Sequence, residues 1–207
     1  MEILNVMKAR RSARKFKDTA IPDSILNEML EAARLAPSPG NSQSYVFGVI
    51  KDQEIKDKLA RAAGEQMWIA SAPVVIACCA DLSWDIAEQP EDDFGVIVNK
   101  LRFNNEFLKY ICEYPDWKAR VTLFENGTSL IPAEHIFLIS ASYGMSACFV
   151  GFLDIEEANK ILQLPQHISC FYLLPVGYAD EMPCEKYTKD LDELVFYDQW
   201  ILQKKII

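Results

Sequence analysis

Histidine occurs only twice, at His135 and His167, and the six cysteines (Cys78, Cys79, Cys112, Cys148, Cys170 and Cys184) form no C-x-x-C pair. Imidazoles and clustered thiolates are the usual ligands of zinc and iron, so a protein-ligated metal centre has few candidates. Cys78 and Cys79 are neighbours in an apolar, strand-like run, where successive side chains face opposite ways and cannot grip one ion together. As a set, the six suit buried thiols in a reducing compartment rather than disulfides in a secreted chain.

Long apolar runs are missing as well. The longest, such as Ala72–Ala80, stop well short of the roughly 20 residues a membrane span needs. The amino terminus, with Lys8, Arg10 and Arg11 after Met7, lacks the apolar stretch and small-residue cleavage site of a secretory signal. The expectation is a cytoplasmic protein with no membrane partner. No G-x-S-x-G elbow, Walker P-loop or G-x-G-x-x-G fingerprint is present, and no pair among the thirty acids is marked by spacing as a general acid and base. Linker-like tracts and internal repeats are absent too, which predicts a single domain spanning 1–207.

What the chain does contain is a core. Its 207 residues are 50% hydrophobic and 11% aromatic, a composition that excludes disorder. The formal net charge of −9 argues against a nucleic-acid surface. That charge is uneven: Lys8, Arg10, Arg11, Arg14, Lys15 and Lys17 fall within residues 8–17 without one acid. One reading makes them the basic last turn of a helix begun by Ile3, Val6 and Met7, complementing its dipole. Another takes Arg10, Arg11, Ser12 and Arg14 as three forked guanidiniums and a hydroxyl, the donor set that grips a terminal phosphate. By chemistry alone both stand.

Periodicity predicts a helix from Pro22-Asp23 to near Pro37, then turn chemistry over Ser38–Gln43 and a strand at Tyr45–Ile50. Asp52 and Asp154 are expected to cap helices running through Leu59 and Ile161. Val74–Ile76, Ser146–Val150 and Phe171–Gly177 are expected strands. Phe94, Ile97, Val98, Leu101, Leu108 and Ile111 share one face of a single long helix, while Tyr114–Asn126 gives no clear pattern. Pro132 suits a first helical position, and Gly144 a left-handed helix stop. The segment from Leu194 to Ile207 mixes Trp200, Ile201, Leu202, Ile206 and Ile207 with two lysines, an apolar tail expected to pack against something.

A phosphate-sized basic cluster, a polar Asn/Gln loop and little side-chain machinery for proton transfer suit a borrowed cofactor. The motifs resemble those of the nitroreductase family of flavin-dependent oxidoreductases. Arg10-Arg11-Ser12-Ala13-Arg14-Lys15-Phe16 is similar to its R-R-S-x-R-x-F signature, and Ala36-Pro37-Ser38-Pro39-Gly40-Asn41-Ser42-Gln43 to its A-P-S-x-x-N-x-Q segment. Trp68-Ile69 with Ala72-Pro73-Val74-Val75-Ile76 resembles its second strand and approach, and Gly144–Gly151 its G-L-G-[ST]-x-x-x-G stretch. Leu174-Pro175-Val176-Gly177-Tyr178 and Lys186 match its carboxy-terminal strand and a phosphate-contacting lysine. Ser44-Tyr45 replaces the usual Pro-Trp, Ala179 the usual proline, and Thr188 a second basic residue.

The resemblance implies an α+β fold with a central, mostly antiparallel sheet flanked by helices, in an intertwined homodimer with two FMN sites at its interface. Arg10, Arg11, Ser12, Arg14 and Lys186 would hold the FMN phosphate. Pro37, Ser38, Asn41 and Gln43 would contact the flavin across the interface, while Gly144 and Met145 would offer backbone donors to the ring. Residues 82–130 would shape the substrate pocket, with Phe94, Phe103, Phe107, Tyr110, Trp117 and Phe124 either covering the flavin face or filling a core. The tail 194–207 would wrap the partner. The implied activity passes hydride from NADH or NADPH through flavin N5 to a small electron-poor acceptor such as a nitroaromatic, quinone or flavin. Dehalogenation or flavin fragmentation on the same fold, a non-catalytic FMN-binding dimer, and a helical interaction protein are the alternatives.

Overall fold

The computed structural model describes residues 2–181 and 187–199. In chain order the elements are α1 (Ile3–Ala9), α2 (Asp23–Arg34), β1 (Tyr45–Ile50), α3 (Gln53–Ala62), β2 (Val74–Asp81), α4 (Phe94–Arg102), α5 (Asn105–Glu113), α6 (Trp117–Glu125), α7 (Leu130–Ser142), β3 (Ser146–Ala147), α8 (Ile155–Ile161), β4 (Ile168–Gly177) and α9 (Leu191–Leu194). Among the described residues the strands form one sheet, ordered β1-β2-β4-β3 and antiparallel throughout. This is the α+β architecture expected. β3 is shorter than the expected Ser146–Val150, because after Ala147 only Val150 returns to pair with Leu173.

Helices cover both faces of the sheet because β2 has no polar face until Asp81. Val75, Ala77 and Cys79 point into a core with Leu59 and Ala60 of α3, its C-cap Ala63, and Ala158 of α8. Val74, Ile76 and Cys78 point into a second core with Leu26, Met29 and Ala33 of α2 and Ala133, Ile136 and Phe137 of α7. Cys78 and Cys79 thus lie on opposite sides of the sheet, as strand alternation requires.

Helix starts follow side-chain caps. Asp52 accepts a hydrogen bond from the Ile55 amide (2.9 Å), and Asp154 from the Glu157 amide (3.0 Å). The expected single helix over 94–111 is two. Asn104 accepts from the Phe107 amide at 2.8 Å and starts α5 afresh, with Phe103 extended before it. The break turns Leu108 and Ile111 onto Ile86 and Val96, where they build a small separate core with Trp84, Phe103, Phe107 and Phe124. Phe94 and Tyr110 stay exposed. The unreadable stretch contains α6, and Pro132 takes the third position of α7 rather than the first.

Gly177 ends β4 where there is no room for a side chain: an added Cβ would lie 2.6 Å from Cδ of Pro73 and 3.2 Å from the Phe16 ring. Gly177→Ala is expected to destabilise the fold by about 1–3 kcal/mol through overpacking, read as a lower urea midpoint with unchanged slope.

Candidate functional site

The basic segment is not the last turn of a helix. α1 stops at Ala9, with Lys8 as its only basic residue in that turn and Arg10 as its C-cap. From there the chain runs extended. Ser12 pairs in parallel with Ala147 and Phe16 antiparallel with Ala179, while the Ala13 amide donates to the Ala147 carbonyl at 3.2 Å. Burying Ala13 and Phe16 leaves Ser12, Arg14 and Lys15 exposed on the outer side.

The arginines differ in what they touch. Arg10 lays its guanidinium over the Phe137 ring, 4.8 Å from the centroid, and Arg14 lies 6.0 Å from that of Trp68. Arg11 folds back, donating from Nη1 to the carbonyls of Lys8 (2.7 Å) and Arg10 (3.0 Å), so its geometry serves the end of α1. Among the described residues none of these three side chains is in an ion pair, whereas Lys15 is bound to Asp180 at 3.0 Å. The backbone amide of Arg14 is occupied, donating to Glu181 Oε1 at 2.6 Å. Lys186 lies outside the described residues.

Gly144 (φ +73°) closes α7 in the left-handed conformation, with open space where a Cβ would stand. Its amide donates to Ala141 and that of Met145 to Ser140, both at 3.0 Å. Those two N–H groups therefore complete the helix end, and Met145 is buried in the α2–α7 core. The chain then passes through Ala147, beside Ser12, to Cys148. Burial pushes the Cys148 thiol up, against the opposing influence of the Arg14 charge and the Ser12 hydroxyl. A thiol held neutral is a poor nucleophile.

The loop after α2 is backbone-strained. Gly40, Asn41 and Gln43 have φ of +56°, +56° and +50°, a region that non-glycine residues seldom enter. Ser38 Oγ accepts from the Gln43 amide at 2.9 Å, and the Ser38 carbonyl from the Asn41 amide at 3.0 Å. The Phe94 ring covers Gly40, 3.4 Å from where a Cβ would sit. At the far side Ser44 Oγ donates to Glu125 Oε2 at 2.9 Å. This link across the 82–130 segment has no sequence signal.

α2 and α7 pack antiparallel: His135 Nδ1 meets the Ala32 carbonyl at 2.9 Å, and Tyr143 Oη donates to Glu28 Oε2 at 2.6 Å. The structure therefore brings Arg10, Ser12 and Arg14 together with the 144–148 turn at one end of this pair. It places Pro37, Ser38, Asn41 and Gln43 at the other. The 13 residues of α7 put Gly144 roughly 20 Å from Leu130 at 1.5 Å per residue, with the Phe137 ring under Arg10 about half-way along the helix. An open cavity of about 810 Å³ between α3 and α8, lined by Lys58, Arg61, Phe152 and Glu157 among others, includes none of these residues. Among the described residues no group of His, Cys, Asp and Glu is arranged to hold a metal, and no helix is long and apolar enough to cross a membrane.

Residues 7–178 match the Nitroreductase family. A protein of Thermus thermophilus named NADH dehydrogenase is 30% identical over 190 residues, covering 91% of this chain and 92% of its own length. A Bacillus subtilis protein named FMN reductase [NAD(P)H] is 27% identical over 188 residues, covering 89% and 69% respectively. The solved structure of B. megaterium NfrA2 superimposes with a TM-score of 0.74 at 21% identity, covering 99% of this chain and 77% of that one. With a family match across most of its length and the same fold in solved relatives, this chain belongs to the Nitroreductase family.

Proposed function

We propose that the protein is an FMN-dependent oxidoreductase that takes electrons from NADH or NADPH and works as a homodimer. The observation that carries this reading is the pair of guanidiniums at Arg10 and Arg14, braced on aromatic rings, free of ion pairs among the described residues, and flanking the Ser12 hydroxyl. Guanidiniums not engaged in ion pairs fit a dianionic phosphate, and a hydroxyl in the same short stretch fits its oxygens, while the Glu181 carboxylate stays bound to the Arg14 amide. Residues and cofactor therefore agree at the phosphate end. Family membership supports the same cofactor.

When bound, FMN supplies hydride chemistry at its ring, accepting from the nicotinamide and giving to an electron-poor acceptor such as a nitroaromatic, a quinone or a free flavin. The chain's part is binding and orientation. Arg10, Ser12 and Arg14 hold the phosphate, with Lys186 joining them, and Arg11 fixes the end of α1 behind them. Gly144 contributes by lacking a side chain, which keeps the approach to the 144–148 turn open. Pro37, Ser38, Asn41 and Gln43 reach the flavin from a second copy, because in their own protomer α7 stands between them and the arginines. Segment 82–130 covers the partner-facing loop through Phe94 and shapes the acceptor pocket.

The first test is the absorbance spectrum of the purified native protein, with chromatography of the flavin released by heat. One FMN per protomer is expected, bleached anaerobically by NADH or NADPH and recovered on adding a quinone. A colourless protein that also refuses added FMN overturns the proposal. Bound FMN that no donor reduces leaves a flavin-binding dimer without this activity.

A further inference from the structure

We propose that Glu125, the last residue of α6, is a positioning residue that holds the strained loop 40–43 in the form that binds the cofactor. The inference rests on the flavin role assigned to that loop above. Backbone in the left-handed region at two non-glycine positions, Asn41 and Gln43, persists only where the surroundings over-determine it. The Ser38 contacts act within the loop and can move with it. An anchor outside the loop is needed: the Phe94 ring packs over Gly40 and the Asp81 amide holds the Ser44 carbonyl at 2.8 Å, but among the described residues Glu125 is the charged group that binds the loop's hydroxyl chain.

Its geometry is specific. Ser44 Oγ donates to Glu125 Oε2 at 2.9 Å, and Thr128 Oγ1 donates to the same oxygen at 2.7 Å. Ser42 Oγ lies 3.2 Å from Ser44 Oγ, extending the chain of hydroxyls into the loop. A carboxylate acceptor strengthens both bonds, and α6 holds it in place. The Thr128 bond fixes the carboxylate rotamer, so Ser44 meets an acceptor that is already oriented. Glu125 thereby ties the binding loop to the 82–130 segment across 81 residues of sequence.

Because both hydroxyls use one oxygen, glutamine with its carbonyl oxygen in that position keeps both acceptor contacts, while alanine keeps neither. The experiment compares wild type, Glu125→Ala, Glu125→Gln and Ser44→Ala in two ways. Amide hydrogen exchange at Asn41, Ser42 and Gln43 is followed in flavin-free protein, and FMN affinity is measured by quenching of its fluorescence. Glu125→Ala and Ser44→Ala are each expected to raise exchange at these amides about tenfold and to weaken FMN binding about tenfold, while Glu125→Gln stays within about threefold of wild type. Unchanged exchange in both Glu125→Ala and Ser44→Ala overturns the proposal, as does faster exchange with unaltered FMN affinity. So does an Ala variant that only melts at lower temperature. If Glu125→Ala does not fold, Ser44→Ala decides alone. A wild-type protein that binds no FMN removes the flavin reading and the positioning role with it, while the exchange arm separately reports whether Glu125 clamps the loop.

Discussion

Replacing Asp85 by alanine lowers the stability of the protein by about 3–5 kcal/mol. Asp85 and Arg120 face each other with side chains only 9% exposed on each partner. Arg120 donates from Nη2 to Asp85 Oδ2 at 2.6 Å, from Nε to Oδ1 at 3.2 Å, and from Nη1 to the Tyr114 carbonyl. Asp85 Oδ1 also accepts from the Ala87 amide at 3.1 Å. Hydrogen bonding to Asp85 holds the Arg120 guanidinium above its ordinary value, so the cation persists through the whole working pH range. Removing the carboxylate leaves that cation beside the Ile86–Val96–Leu108 core with the Tyr114 carbonyl as its remaining hydrogen-bond acceptor among the described residues. A urea titration should show the loss, and for a chain of this size it corresponds to a melting point lower by roughly 6–20 °C. The control is the double variant Asp85→Leu with Arg120→Met. A buried pair exchanged for apolar groups of similar volume is often neutral, so recovery of most of the loss identifies the stranded charge as its cause. A loss unchanged in the double variant assigns the effect to packing instead.

Arg10→Ala weakens FMN binding by about 1.5–3 kcal/mol, or roughly 10- to 150-fold. The guanidinium rests on Phe137, a residue 1% exposed in the α2–α7 core, so its position is braced before any ligand arrives. Losing that stacking costs the folded protein about 0.5–1 kcal/mol, small beside the loss in ligand binding. Arg10→Lys keeps the charge without the fixed fork and is expected to fall between the two. The discriminating ligand is riboflavin, which lacks the phosphate. Its affinity should be the same for wild type and Arg10→Ala, measured by fluorescence titration. An equal fall for both flavins shows that Arg10 acts through the fold, and equal FMN affinity in both proteins removes Arg10 from the site.

Features set by neighbouring residues were legible in the sequence. Asp52 and Asp154 cap their helices as expected, and Gly144 stops α7 with a positive φ. The division between α4 and α5 was not, because Leu101, Leu108 and Ile111 continue a helical period straight through it. A capping asparagine beside a second asparagine, Asn104-Asn105, gives the periodicity no warning. α6 was hidden for the opposite reason: Arg120 occupies its buried face to reach Asp85, putting a charge where the period calls for an apolar residue. At the candidate site, Arg10, Ser12 and Arg14 stand out by local density of donors, yet Arg11 shares that density and serves the helix end instead. That the Asn41/Gln43 loop stands at the far end of α7 follows from the antiparallel packing of α2 on α7, which no local pattern encodes. Glu125 escaped notice because its partner Ser44 lies in a different part of the chain.

The apolar continuity of β2 has a consequence for how the sheet finds its alignment. In a strand with one wet face, a slip of one residue exposes the apolar set, and polarity alone rejects it. β2 meets a dry core on either side, so a slipped pairing with β1 or β4 leaves no greasy side chain in water. Volume must do the selecting. Ala77 sits opposite Gly48, and a Cβ added to Gly48 would already be 3.3 Å from the Ala77 methyl. Sliding Ile76 into that place crowds a contact with no slack, a misfit of about 1–3 kcal/mol. Alignment is thus selected by which side chains fit, and the small residues Gly48, Ala77 and Gly177 are the index marks against which the strands come to rest.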